Sequence, residues 1–116
     1  MSVTELLRQY GSAVLDLVLP LVCAGCGVAG VAWCGRCAAW LDWRIRHPAV
    51  VSPSPAPAGL PLVIAAAPYK DSVRRAIVAF KDDGRRDLAD VLARALAAGI
   101  APFAAAAGPI VLVCVP

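Results

Sequence analysis

Cys23-Ala24-Gly25-Cys26, seven residues, then Cys34-Gly35-Arg36-Cys37 is the stretch on which the reading of this chain turns. A C-x-x-C turn presents two sulfurs to one side of an ion, so two such turns close a tetrahedron of thiolates around zinc. Gly27, directly after Cys26, is free to take the positive φ that aims backbone N–H groups at sulfur, and Gly25 and Gly35 lie inside the turns. Four thiolates leave no open coordination position, so such a site is structural and not catalytic. The spacer is shorter than the usual one of about 15–20 residues, which implies a compact knuckle pair. Disulfides, or redox-active or empty thiols, are the alternative readings of the same four cysteines. A single C-x-x-C would not separate these readings; two in close succession, neither preceded by a thioredoxin-like strand, favour metal. His47 is an alternative ligand that four thiolates make unnecessary.

Outward from the knuckle, 116 residues leave room for one compact domain with a small metal-stapled appendage. Hydrophobic residues make up 60% and charged ones 16%, which excludes intrinsic disorder as the main description. The large apolar groups of the cysteine zone are few, chiefly Leu21, Val31, Trp33, Trp40, Leu41 and Trp43. Metal ligation is therefore expected to decide whether that zone folds. The formal charge of +3 drops to +1 once a dication and four thiolates are counted, so affinity for nucleic acid cannot be argued from net charge.

Two uncharged stretches test as membrane spans. Residues 48–68 carry a proline-rich core that cannot hold a continuous helix, and residues 95–116 are broken by Gly99, Pro102, Gly108 and Pro109. No span is expected. The apolar run 13–22 contains Asp16 and is followed by no clean A-x-A site, so a secretory leader is not expected either. The expected location is cytoplasmic, where thiols stay reduced and metal binding is favoured over disulfides.

The chain divides into zones. Residues 4–19 predict an amphipathic helix with Ser2 and Glu5 in capping-box spacing, with Leu7, Tyr10, Val14 and Val18 on one face, and with Pro20 as its stop. Helix and knuckle together make a module over 1–47, followed by a proline-rich linker over 48–60. An α/β unit begins at 61 and runs to 116. Within it, 62–67 predicts a strand, and Asp71 or Ser72 caps a helix bearing Val73, Ile77 and Phe80 that ends near Gly84. Asp87 caps a second helix with Leu88, Val91, Leu92, Ala95 and Leu96 as its buried stripe and Gly99 as its stop. Residues 109–115, Pro-Ile-Val-Leu-Val-Cys-Val, predict a strand buried on both faces, with Cys114 as a small core residue. Such a strand lacks crossover helices to cover it, which suggests the N-terminal part of something longer. Because the linker separates them, loss of one cysteine ligand is expected to unfold 21–43 and spare the helices of 71–98.

A second chemical signal is the run of cations Lys70, Arg74, Arg75, Lys81, Arg85, Arg86 and Arg94 among five aspartates. Charges so interleaved usually form a solvated helical face. Lys81, Arg85 and Arg86, around the Gly84 turn and next to a helix N-terminus, form the candidate contact for phosphate or nucleic acid.

Taken in order, these residues resemble a family. Leu15, Pro20, Cys23, Cys26 and Gly27 are followed by the second C-x-x-C, by Ala67-Pro68-Tyr69-Lys70, by Val73-Arg74-Arg75-Ala76-Ile77, by Phe80-Lys81-Asp82-Asp83-Gly84, and by Val113-Cys114-Val115-Pro116. The set is similar to the ComF family, competence-associated, phosphoribosyltransferase-like bacterial proteins with an N-terminal zinc knuckle. The resemblance extends over nearly the whole chain from Leu15. It implies an α+β chain in which helix and zinc knuckle precede a phosphoribosyltransferase-like unit. It also implies PRPP and magnesium as cofactors of a full-length relative, and DNA or a competence-machinery protein as partner.

In that family an arginine-rich loop after the V-x-V-P strand holds pyrophosphate. A later strand ending in paired acidic residues, with a Thr/Gly loop, holds the ribose 5-phosphate. Residues 1–116 contain neither, and the one adjacent carboxylate pair, Asp82-Asp83, lies between two helices beside arginines. The expectation is an inactive N-terminal fragment that transfers no phosphoribosyl group and self-associates through its terminal strand. A stand-alone zinc-binding module that contacts DNA or a DNA-uptake partner is the alternative.

Overall fold

The computed structural model describes residues 2–18 and 20–115, with side chains at all of these except 12–18. It is a mixed α+β chain of four α-helices and one small sheet. The order is α1 (Val3–Val18), α2 (Gly35–Ile45), β1 (Ala49–Val51), β2 (Val63–Ala65), α3 (Asp71–Lys81), a 3₁₀ turn (Arg86–Leu88) and α4 (Ala89–Ala107).

Helix α1 begins where the sequence puts it, with the backbone N–H groups of Glu5 and Leu6 bonded to the Ser2 carbonyl. Of its expected apolar face, Leu7 and Tyr10 are exposed, while Val14 and Val18 lie outside the described side chains. Helix α2 starts at the second cysteine pair. Cys34 is its N-cap, in extended backbone, and its sulfur accepts the Cys37 N–H in place of the usual hydroxyl or carboxylate.

The expected linker is in part structured. β1 lies inside it and pairs antiparallel with β2 in the register Ala49↔Ala65, Val50↔Ile64, Val51↔Val63, so 48–62 is the first arm and loop of a hairpin. Val50, Val51, Val63 and Ile64 are β-branched, which outweighs the prolines at either side. This is the only sheet among the described residues.

Helix α3 is amphipathic as expected, with Val73, Ala76 and Ala79 buried and Ile77 and Phe80 half-buried. Neither Asp71 nor Ser72 caps it; Lys70 holds the cap position without a side-chain bond. Gly84, at φ +67°, reverses the chain after it, and the Arg85 N–H returns to the Ala79 carbonyl. Leu88 then plugs the interior completely, from a 3₁₀ turn rather than from a helix capped by Asp87.

Four expectations fail after Leu88. α4 does not stop at Gly99 but runs through it and Pro102 to Ala107, where Gly108 at φ +73° ends it. Alanine fills most of the final turns, and its propensity sustains the helix past both breakers. Leu96, expected in the buried stripe, is exposed. The expected buried strand at 109–115 forms no strand pairing among the described residues. Cys114 is exposed there rather than part of a core. A strand needs a neighbour to bond, and the three-residue hairpin offers no matching edge.

The interior joins both halves of the sequence. Ala76, Ala79 and Leu88 form its centre, with Ala24 and Trp33 of the knuckle, Phe80 and Leu92 packed against them. α4 in turn packs against α2 and β2. One segment, Arg86–Ala107, is long and apolar enough to cross a membrane by length and composition, a test that core helices of soluble proteins also pass.

Candidate metal centre

The knuckle is built by its backbone. The Cys23 N–H bonds the Val28 carbonyl at 2.8 Å, the Gly27 N–H bonds the Cys23 carbonyl at 2.8 Å, and the Gly30 N–H reaches Leu21. A bridge between Val22 and Ala29 closes the loop. Gly27 does sit at φ +81°, the conformation that the turn requires and that L-residues avoid.

These bonds bring Cys23, Cys26, Cys34 and Cys37 together with all four sulfurs within 4.8 Å of one another. A tetrahedral ion with sulfur bonds of about 2.3 Å needs sulfurs about 3.8 Å apart, so the cluster fits one with small adjustment. Cys26 Sγ already lies 3.5 Å from Cys34 Sγ, well beyond a disulfide bond, and all five cysteines of the chain are free thiols. Cys23 and Cys37 are buried while Cys26 is exposed, so the cluster has a protein side and a solvent side.

The electrostatics suit a cation. Burial pushes the Cys23 thiol up, but the N–H groups of Cys34, Cys26 and Gly25 around its sulfur outweigh this and bring it to about 6. The Cys34 N–H lies 3.3 Å from Cys23 Sγ. Cys26 is lowered chiefly by the Val28 N–H, and then by Cys34 and Arg36. Burial raises Cys37, and the neighbouring thiols raise it further. Four thiolates this close cannot all ionise unaided, and a cation at their centre removes that obstacle. The N-terminus of α2 supports it, since Cys34 caps that helix and Cys37 lies in its first turn.

Sequence reasoning missed the residues that seat the centre on the helices. Arg75 of α3 donates from Nε to the Gly25 carbonyl at 2.6 Å, and Arg85 donates from Nη1 to the Val22 carbonyl at 3.2 Å. Arg85 also holds Asp87 at 2.7 Å, and this pairing keeps the Asp87 carboxyl below the usual carboxylate range. Gly25 is buried against α3; a Cβ there would meet Cys37 Sγ at 2.7 Å, Trp33 at 2.9 Å and Ser72 Cβ at 3.0 Å. Two arginines fifty and more residues away in sequence give no local signal of this role.

The same geometry breaks up the expected cation cluster. Arg85 faces inward on Val22 and Asp87, Arg86 lies over the Phe80 ring at 5.0 Å, and Lys81 is exposed. His47 is not part of the sulfur cluster: its Nδ1 lies 2.9 Å from the Trp43 carbonyl and its ring stands against Trp43. Arg75, Arg85 and Gly25 link the knuckle to α3 and the turn that follows it. No protein family, curated protein or solved structure matches this chain.

Proposed function

We propose that the four thiols hold one structural zinc and that this zinc-stapled unit is the N-terminal module of a ComF-like, phosphoribosyltransferase-family protein linked to DNA uptake. The observation that carries the zinc is the convergence of four sulfurs from two C-x-x-C turns. The donor set is all thiolate, which selects zinc over hard cations such as magnesium or calcium. Zinc here supplies folding free energy and no Lewis-acid chemistry, since four sulfurs close the coordination sphere.

The family reading is supported by the ordered motifs from Leu15 to Pro116. Under it, PRPP and magnesium belong to segments that residues 1–116 do not contain, and no transferase step is assigned to the residues present. The phosphoribosyltransferase-like continuation from residue 61 and the cytoplasmic location are parts of the same proposal.

The stand-alone reading, in which the module contacts DNA through Lys81, Arg85 and Arg86, loses support from Arg85, whose guanidinium is already engaged by Val22 and Asp87.

Two experiments test the proposal separately. Metal analysis of protein purified without chelator should give one zinc per chain, and its absence refutes the metal. Sequencing the DNA downstream should reveal, in frame or after a frameshift, an R-x-x-x-R-G-x-N segment and then a D-D-x-x-T-T-G segment. A downstream region with neither refutes the family reading and leaves the zinc untouched.

A further inference from the structure

We propose that Cys26 and Cys34 are a peroxide-sensitive pair: joined as a disulfide, they open the thiolate cluster and release its metal. This rests on the zinc reading above and adds a means of discharging that zinc. Cys23 and Cys37 are buried, whereas Cys26 is exposed and Cys34 half-buried, so an oxidant arriving from solvent meets these two sulfurs first. Their Sγ atoms lie 3.5 Å apart and come from different C-x-x-C turns. A disulfide bond of about 2.05 Å requires them to close by only about 1.5 Å.

The surroundings of Cys26 suit a hydroperoxide. A hollow of about 210 Å³ opens beside it, lined in part by Arg36, Trp40, Asp71 and Arg75. Hydrogen peroxide, with a bulk near that of two waters or about 60 Å³, fits inside. Arg36 bonds the Cys26 sulfur and so stands where it can donate to the oxygen that departs.

The Cys26 thiolate attacks one peroxide oxygen; the S–O bond forms, the O–O bond breaks, and the departing hydroxide takes a proton from solvent to become water. The Cys34 thiolate then attacks the sulfur of the resulting sulfenic acid. The S–S bond forms, the S–O bond breaks, and a second hydroxide leaves and is protonated to water. Two thiolates together lose two electrons, and one hydrogen peroxide gains them with two protons. Cys23 and Cys37 remain, too few to hold a closed zinc site. Ala24 and Trp33 of the knuckle pack against the Leu88 centre, so loss of the metal reaches the core.

The test uses the zinc-loaded chain carrying Cys114→Ser, because Cys114 is a further exposed thiol. Zinc is counted first; hydrogen peroxide is then added, released metal is followed with a chromogenic chelator, and disulfides are mapped by peptide mass spectrometry. The expected result is one zinc released per disulfide, with Cys26 joined to Cys34 and the change reversed by dithiothreitol and added zinc. Cys26→His keeps four ligands but removes one sulfur of the pair, and should retain zinc through an exposure that empties the parent. Arg36→Gln should bind zinc equally and release it about tenfold more slowly, with Arg36→Lys closer to the parent.

A chain without zinc before the oxidant is added refutes the metal reading and this proposal with it. In a zinc-loaded chain, three outcomes overturn this proposal alone. One is zinc and thiols left intact at a peroxide dose that oxidises Cys114 in the parent. Another is a disulfide that joins Cys23 to Cys26 or Cys34 to Cys37 instead. The third is zinc lost from Cys26→His as fast as from the parent.

Discussion

Gly25 has less freedom than any other glycine of the knuckle, because Cys37, Trp33 and Ser72 converge on the place where a side chain would begin. Gly25→Ala forces the Cys37 thiol, an indole and a helix apart at once. It should cost about 2 kcal/mol or more in urea denaturation and weaken zinc retention against chelator. Gly35→Ala, where nothing lies within 4 Å, should be close to neutral and serves as its control. Arg85 gives a second prediction at this scale. Arg85→Ala should destabilise by about 1–2 kcal/mol, since the Val22 carbonyl loses a charged donor, whereas Lys81→Ala should do nothing measurable to stability. The sequence shows Gly25 only as a turn glycine and Arg85 only as one of a row of cations. Their roles depend on a fold that brings 22–25 against 75–85. The clustering of the four cysteines, by contrast, is legible in the sequence, because spacing alone restricts where two C-x-x-C turns can send their sulfurs.

At the scale of elements, the knuckle and α3 stand or fall together. Cys37 is at once a candidate ligand, part of the first turn of α2 and a neighbour of Gly25. Cys37→Ser should therefore remove the metal and loosen α3 and the Leu88 turn as well, seen as a single transition in which helix signal and tryptophan fluorescence change together. A helix signal that survives intact would mean that 71–98 folds alone. Leu88→Ala, which empties the one fully buried leucine among the described residues, should cost about 2–5 kcal/mol and lower zinc affinity through the same core. Asp87 adds a pH dependence. Its carboxyl is held low by Arg85, so its contribution is complete above about pH 4 and disappears as pH falls through the lowered folded value. The stability advantage of the parent over Asp87→Asn in urea should shrink accordingly on acidification. Helix periodicity locates α1 and α3, but it begins α4 at an Asp87 cap where a 3₁₀ turn stands instead. The end of α4 was misread because Gly99 and Pro102 are breakers in general but are carried here by flanking alanines, and the β1 arm was hidden because its three residues sit next to a proline-rich loop.

At the scale of the molecule, the radius of gyration is 18.8 Å, against about 13 Å for a compact domain of this length. The excess goes with α1, where Leu7 and Tyr10 are exposed, and with 110–115, none of which belongs to the Leu88 core. The hydropathy of 109–115 predicts a buried strand, and the described residues offer no surface to cover it. What remains is a small core centred on Ala76, Ala79 and Leu88, with the cysteine cluster at its edge taking the place of the large side chains the chain lacks. Native mass spectrometry of the chain purified without chelator tests that claim most directly. The prediction is one zinc per chain, lost when Cys23, Cys26, Cys34 or Cys37 is replaced by serine and kept when Cys114 is. A metal-free folded chain, or zinc retained after all four replacements, would contradict it.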